Sequence, residues 1–108
     1  MPFITAGFAL ILNLAVDATD GINQVSVFTN ISEKTKQSIT FATATSNDYG
    51  GSVVSNNTPL SFSIPAGETV QAIGLYHGTT YVGYIAVTEV TDSNAYVYVI
   101  DSITINLT

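Results

Sequence analysis

The stretch Leu60–Val87 constrains the fold of this chain more than any other part of the sequence. Its first five residues, Leu60–Ile64, alternate apolar side chains with serines, which is the period of a half-buried β-strand. The Pro65-Ala66-Gly67 sequence then predicts a tight turn, because proline presets φ and the glycine can adopt a positive φ. The pattern therefore begins as a strand that ends in a sharp change of direction.

Two more strands are predicted in the same stretch, over residues 70–75 and Tyr81–Val87, with a short turn at Tyr76-His77-Gly78. The strand over 70–75 is apolar on both faces near its end. A strand that is covered on both faces usually lies in the middle of a sheet or sandwich. We therefore expect this stretch to form the centre of an all-β domain.

Short strands with turn residues between them recur about every ten residues along the rest of the chain. They are predicted at Gln24–Thr29, Ser38–Thr45, Val53-Val54 and Ala95–Thr108. Ile39 and Phe41 are expected to point inward. This spacing predicts an antiparallel β-sandwich, jelly-roll-like, formed by residues 1–108 as a single domain.

The C-terminal strand carries a carboxylate at a position that its alternation directs inward. Val97, Val99 and the later isoleucines share the parity of Asp101. Because an unpaired buried carboxylate is costly, we expect a bulge or break near Asp101-Ser102. On this reading Val97 and Val99 face the core, while Tyr96 and Tyr98 face outward or toward a partner.

The N-terminal region is the best helix candidate. Thr5 could cap a helix over residues 6–16, although a strand over residues 8–16 is the rival interpretation and the helix is favoured. Apolar residues surround this segment on nearly all sides, so it must be buried under a sheet or against another chain. It is too short to cross a membrane and has no basic residue before it, as a signal peptide would.

Charge is scarce in this chain. Charged residues make up 9% of its 108 residues, the net charge is −6, and Lys34 and Lys36 are the only Lys or Arg residues. Two lysines cannot neutralise a phosphate backbone or an anionic lipid surface, so nucleic acid and membrane are not expected as partners. Ser32–Gln37, which holds both lysines, is predicted to be a solvated loop. So few charges on an apolar chain suggest that assembly hides part of the surface.

Catalytic and metal-binding patterns are weak. His77 is the only histidine, the chain has no cysteine, and no nucleophile motif is present. Asp17, Asp20 and Gly21 lack the alternating ligands of a calcium loop, so a turn at the end of a helix is the better interpretation. We therefore expect a protein that is not an enzyme and has no catalytic residue, no metal site and no cofactor.

Interface residues are the more promising candidates. Tyrosine combines an apolar face with a polar tip, and it is favoured where proteins meet. The chain has six tyrosines and no tryptophan. The candidate contact residues are Phe8, Ile11 and Leu12 of the apolar helix, together with Tyr76, Tyr81, Tyr96 and Tyr98.

The chain resembles a family of small bacteriophage structural proteins, described as tail fibre, minor structural or head decoration (cement) proteins. The matching pieces are Thr5-Ala6-Gly7 with the apolar run after it, VSVFTN at Val25–Asn30, ITFATAT at Ile39–Thr45, and FSIPAGETVQAIGLYHGTTYVGY at Phe62–Tyr84. They cover most of the chain in the family's order, and IPAG…IGLY is the distinctive piece. The chain departs at Tyr76-His77, where the family often has Trp-Asp.

The resemblance implies a virion protein without enzymatic activity. It would form a homo-oligomer, with a trimer favoured, and would dock on the major capsid protein or on a tail protein; capsid decoration is favoured over tail attachment. The alternative is a carbohydrate- or receptor-binding module, in which Tyr76 and Tyr81 would form a stacking platform.

Overall fold

The computed structural model describes residues 11–17, 19–47, 49–55 and 59–107. Within these ranges it has one helix, α1, over residues 11–15, and nine β-strands. The strands are β1 Gln24–Thr29, β2 Gln37–Ser38, β3 Thr45–Asn47, β4 Gly50–Val54, β5 Leu60–Ile64, β6 Thr69–His77, β7 Thr80–Thr91, β8 Tyr96–Ile100 and β9 Thr104–Leu107.

The strands form three antiparallel sheets. A four-stranded sheet has the order β2-β1-β6-β7, a three-stranded sheet has the order β3-β4-β9, and β5 pairs with β8. The sheets pack together around a shared core, so the predicted all-β sandwich with one short helix is confirmed. The central position predicted for the strand over residues 70–75 is also confirmed, since β6 lies between β1 and β7.

The main core lies between the four-stranded sheet and the β5-β8 pair. Both contribute fully buried side chains, such as Val25 and Val70 from one side and Ile64 from the other. The buried members are Ile22, Val25, Val27, Ile39, Phe62, Ile64, Val70, Ile73, Leu75, Ile100 and Ile103. Each large aliphatic or aromatic side chain buried in this way contributes about 1.5–3 kcal/mol, so this apolar layer is what holds the sheets together.

Strand β5 has the alternation that its sequence predicts. Phe62 and Ile64 are buried, whereas Ser61 and Ser63 are exposed. The predicted turn is present, with Gly67 at a φ of 81°. This turn does not close a hairpin, because β5 pairs with β8 and not with β6. It carries the chain from one sheet of the sandwich to the other.

Strand β6 contributes buried side chains near both of its ends, because a bulge interrupts the alternation of its side chains between the two faces. Gln71 is an extra residue relative to β1, where Thr29 pairs with Val70 and the preceding residue pairs with Ala72. This bulge lets Val70 and Ile73 both point into the core, although three positions separate them. At the far end, β6 and β7 form a hairpin around a two-residue turn.

Helix α1 lies on a second, smaller core. The favoured helix is confirmed for residues 11–15, while residues 6–10 lie outside the described part. The cluster contains Leu12, Val16, Ala44 and Val53. Asn13 Oδ1 accepts a hydrogen bond from the Ala44 backbone N–H at 2.9 Å. Its sequence predicts a helix that is buried on all sides. This prediction is wrong, because Leu14 is 65% exposed.

The strand predicted over Ser38–Thr45 is wrong in its length. Only its two ends belong to strands, to β2 and to β3. Between them the backbone changes partners: Ile39 N donates to Asn23 O at 3.0 Å, and Ala42 N donates to Val54 O at 2.9 Å. The segment therefore crosses from one sheet to another. Ile39 is buried as predicted, and Phe41 is half-buried against both cores.

The predicted break at Asp101-Ser102 is confirmed, since β8 ends at Ile100 and β9 begins three residues after Asp101. The predicted direction of the β8 side chains is wrong. Tyr96 and Tyr98 pack against the main core, whereas the valines between and after them face solvent. The pairing of β8 with β5 explains this, because each tyrosine lies opposite a buried β5 residue.

Candidate functional site

The four-stranded sheet turns one face away from the core, and we call it the outer face. Its residues alternate with the buried valines of β1 and with Ile73 and Leu75 of β6. The register brings nine residues onto it: Gln24, Ser26 and Phe28 of β1, Ala72, Gly74 and Tyr76 of β6, and Tyr81, Tyr84 and Ala86 of β7. One described face of the sandwich therefore carries four aromatic rings.

Three of these rings form an aromatic cluster: Phe28, Tyr76 and Tyr81. The Tyr81 ring lies edge-on to Tyr76, with centroids 5.4 Å apart, and edge-on to Phe28 at 6.1 Å. Such edge-to-face pairs contribute about 0.5–1.5 kcal/mol beyond their buried area. Tyr81 remains 50% exposed, and Tyr84, outside the cluster, is 64% exposed, so the outer face presents two rings to solvent.

A bulge in β7 directs Tyr81 to the outer face. Leu75 pairs with Gly83 and Tyr76 pairs with Tyr81, so Val82 is an extra residue in β7. Without the bulge, Tyr81 and Tyr84 would lie on opposite faces, since three positions separate them. The bulge is thus what unites the two exposed tyrosines on one face.

Gly74 lies directly beneath the aromatic cluster. A Cβ atom at this position would lie 2.5 Å from Ser26 Oγ, 2.6 Å from Phe28 Cε2 and 3.2 Å from Tyr76 Cε1. The Phe28 ring therefore lies directly over the backbone of the neighbouring strand. Any larger residue at Gly74 would have to push this ring or the Ser26 hydroxyl aside.

The segment Ser32–Gln37 covers part of the outer face. The Glu33 carboxylate accepts hydrogen bonds from Ser26 Oγ, at 2.5 Å, and from the Tyr76 hydroxyl. The hydrogen bond to Glu33, with burial, raises the pKa of Tyr76 to about 12. Lys36 Nζ lies 4.4 Å from the centroid of the Tyr76 ring, a cation–π contact. Tyr76 therefore contacts the Glu33 carboxylate through its hydroxyl group and the Lys36 ammonium through the face of its ring.

A second contact fastens the same segment to the β5–β6 turn. Lys34 Nζ forms a salt bridge with Glu68 Oε1 at 2.7 Å, and Thr29 Oγ1 donates to the same oxygen at 2.6 Å. The hydrogen bond from Lys34, reinforced by that from Thr29, holds the pKa of Glu68 below its ordinary value. Both lysines are half-buried and engaged within the chain, whereas Ser32, Glu33 and Thr35 are exposed, so the loop is solvated, as predicted, only in part.

Two valines of β8 form a separate exposed surface, the β8 face. Val97 is 58% exposed and Val99 is 49% exposed. They pair with Ser63 and Ser61 of β5, which are also exposed. This apolar surface lies on the opposite side of the sandwich from the outer face, because the main core separates the two sheets.

A polar groove of about 520 Å³ lies beside the β3–β4 hairpin. Asn47, Asn106 and Tyr49 line it together with small residues of β3 and β4. Tyr49 is 86% exposed, and its backbone N–H donates to Asn47 Oδ1 at 2.9 Å. The groove offers amide and hydroxyl groups beside one free aromatic ring.

The residues predicted to form an interface are only partly brought together. Tyr76 and Tyr81 are in contact, but Tyr76 is 6% exposed and cannot stack on a ligand. Leu12 is buried within the chain, Ile11 is half-buried, and Phe8 lies outside the described residues. Sequence reasoning missed Tyr84, Val97 and Val99, and a strand-by-strand choice of parity could have found the last two.

His77 and Asp17 serve the fold. His77 Nδ1 lies 2.8 Å from Gly21 O. Asp17 Oδ2 accepts hydrogen bonds from the backbone N–H groups of Thr19 and Asp20, at 3.2 and 2.9 Å, which is the predicted helix-end turn. Among the described residues, no three His, Cys, Asp or Glu side chains are grouped as metal ligands would be.

No helix in the part of the chain that the structure describes is long and apolar enough to span a membrane. Comparison with known proteins found no match to this chain among family models, curated proteins or solved structures.

Proposed function

We propose that this protein is a structural component of a bacteriophage virion without enzymatic activity. Its most fitting place is the capsid surface, as a decoration protein that associates with copies of itself and docks on the lattice of the major capsid protein. Attachment to a tail protein is the other location that fits the sequence resemblance. The IPAG…IGLY piece at Ile64–Tyr76 supports this family assignment.

The exposed apolar side chains carry the proposal. Val97 and Val99 on the β8 face are 58% and 49% exposed, and Tyr84 on the outer face is 64% exposed. Contiguous exposed apolar surface on a small domain marks a site where a partner binds. The β8 face has serine neighbours and no charged residue beside its valines, so it can lie against another protein surface with little desolvation of charge.

The charges of the chain agree with a protein partner. Both of its lysines are already engaged, Lys34 with Glu68 and Lys36 with the Tyr76 ring. Few cations are thus free to bind phosphate groups, which argues against nucleic acid and anionic membranes as partners. Docking would rest on burial of apolar surface and on edge-to-edge contacts between strands.

Co-sedimentation tests this proposal. The purified protein is added to capsids that lack it, beside a Val97→Asp/Val99→Asp variant and a Thr40→Asp/Thr104→Asp control with the same added charge at exposed positions. We expect the wild type and the control to sediment with the capsids and the valine variant to remain in solution. Failure of the wild type to bind capsids or tails, with its absence from virions by mass spectrometry, would overturn the proposal.

A carbohydrate- or receptor-binding role is the second candidate, and the exposed rings favour it. Tyr81 and Tyr84 present their rings on the outer face, and Tyr49 stands beside the polar groove. Stacking on a sugar would fall to these residues, since Tyr76 is buried. A glycan array with wild type, Tyr49→Ala and Tyr81→Ala tests this role: binding that one variant loses would support it, and no binding by the wild type would exclude it.

A further inference from the structure

We infer that strand β7 pairs with β7 of a second copy, antiparallel and across a two-fold axis at Ile85. This deepens the self-association in the proposed function and rests on that part of it. Two four-stranded sheets would join into one continuous sheet. The outer faces of the two copies would then lie side by side.

The free edge of β7 is the starting observation. β7 is 12 residues long and lies at the end of its sheet, paired only with β6 among the described strands. The carbonyl of Val90 accepts a hydrogen bond from the Tyr96 hydroxyl at 2.9 Å, so the open part of the edge lies before Val90. An exposed strand edge is a ready template for another strand.

Apart from its irregularities, this edge lacks the features that normally prevent such pairing. Between Thr80 and Thr88 it has no charged residue and no proline. Its bulge at Val82, and a second irregularity where β7 passes Gln71, leave a regular stretch at residues 83–86. Regular pairing with a second copy is therefore confined to the middle of the strand.

Side-chain sizes indicate the register. Paired residues must lie on the same face, so a two-fold axis at Ile85 sets Gly83 opposite Val87 and Tyr84 opposite Ala86, each pair occurring twice. Gly83 lies on the core side of the strand, and no atom lies within 4 Å of the position that a Cβ atom would take there. Val87, which packs against the core of its own copy, would lie beside this open position of the other copy. Within the regular stretch, the exposed Tyr84 ring of one copy would cover the small Ala86 of the other.

Charge is compatible with a second copy as the occupant, although each copy has a net charge of −6. The only charged residue of β7 is Glu89. In this register the two Glu89 residues are eight positions apart along the strand direction, or about 27 Å. That separation exceeds the screening length at physiological salt, so the identical copies do not repel each other at this edge.

The Tyr84→Glu/Ala86→Glu variant is decisive. Both positions are exposed on the outer face, and in this register each new carboxylate of one copy lies directly opposite a carboxylate of the other copy, where like charges are destabilising. Sedimentation velocity over a concentration series should show a wild-type dimer and a dissociation constant at least tenfold higher for Tyr84→Glu/Ala86→Glu. Thr40→Glu/Thr104→Glu, which adds the same charge at exposed positions outside the four-stranded sheet, is the control and should leave the dimer unchanged. Circular dichroism checks that all variants are folded.

A compensating change tests the register itself. In Tyr84→Lys/Ala86→Glu each lysine lies opposite a glutamate of the other copy, so this variant should recover most of the dimer. Hydrogen exchange of the wild type gives an independent measure, since those amides at 83–87 that point to the free edge should gain protection as the concentration rises. A trimer that is insensitive to Tyr84→Glu/Ala86→Glu, or concentration-independent exchange at these amides, would overturn the pairing.

The outcomes also separate this inference from the proposed function. A monomer that still co-sediments with capsids would contradict the β7 pairing and leave docking supported. A dimer that is sensitive to Tyr84→Glu/Ala86→Glu but does not bind capsids or tails would support the pairing and contradict the virion role.

Discussion

Replacing Gly74 with alanine tests whether the aromatic cluster packs directly on the backbone of β6. The added Cβ would lie 2.5 Å from Ser26 Oγ and 2.6 Å from Phe28 Cε2. Ser26 cannot move freely, because it is fully buried and its hydroxyl is bound to Glu33. Overpacking destabilises a protein by about 1–3 kcal/mol. Replacing glycine by alanine also lowers the conformational entropy of the unfolded chain, which offsets about 0.4–1 kcal/mol of that loss. We expect Gly74→Ala to lower the free energy of unfolding by about 1–2 kcal/mol.

Gly83→Ala is the matched control for this change. It lies in the adjacent strand, and no atom is within 4 Å of its Cβ position. It shares the gain from the unfolded state without the collision, so it should be neutral or more stable by up to about 1 kcal/mol. Urea unfolding followed by tyrosine fluorescence, at concentrations low enough to suppress self-association, measures both variants. Equal effects of the two substitutions would refute the proposed packing.

Three further predictions concern conformation and pH. Gly67→Val should cost about 1–2 kcal/mol, because φ is 81°, and Gly67→Asn should cost much less; equal losses in urea unfolding would contradict this. The hydrogen bond from Lys34 lowers the pKa of Glu68 in the folded state. The stabilisation of the fold by this contact is therefore present above the ordinary carboxyl pKa and is lost as the pH falls through the lowered value. Thermal unfolding of Glu68→Gln should not show this dependence on pH, and an acid profile equal to that of the wild type would contradict the prediction. The pKa of Tyr76 is raised from an ordinary 10.0 to about 12, chiefly by its hydrogen bond to Glu33. The resulting stabilisation of the fold is present below the ordinary pKa and is lost as the pH rises toward the higher value. The pKa of Tyr98 is also raised, because it is buried. Phenolate absorbance should therefore show more than one late-titrating tyrosine, of which one moves to lower pH in Glu33→Gln, and no movement would count against the contact.

Local patterns in the sequence predicted some of the strands well. β1 has the predicted bounds, and the alternation of Leu60–Ile64 and the positive φ of Gly67 are as expected. These features depend on neighbouring residues, which the sequence displays directly. The strand partner of β5 depends on residues more than thirty positions away, and no local pattern distinguishes β6 from β8 as that partner.

The orientation of β8 was wrong for a physical reason. Its two faces carry tyrosines and valines, so both alternations are apolar and either could face the core. The predicted parity was continued back from Ile103 across the break at Asp101. A break resets the phase of a strand, and the pairing of Tyr98 with the buried Phe62 then decides which face turns inward.

The candidate site was foreseen only in part, because it depends on contacts between distant segments. Tyr76 and Tyr81 share a face owing to the Val82 bulge, which no residue type in that stretch announces. Tyr76 is then removed from solvent by Glu33 and Lys36, 43 and 40 positions earlier in the chain. Tyr84 and the valines of β8 are therefore exposed, whereas Tyr76 is not.

Electron cryo-microscopy of intact virions tests the central proposal most directly. We expect density for this β-sandwich on the outer capsid surface, with Val97 and Val99 turned toward the capsid lattice. Density at the tail would keep the protein in the virion but move its docking partner. A complete reconstruction of capsid and tail without this fold, from particles in which mass spectrometry does not detect the chain, would contradict the account.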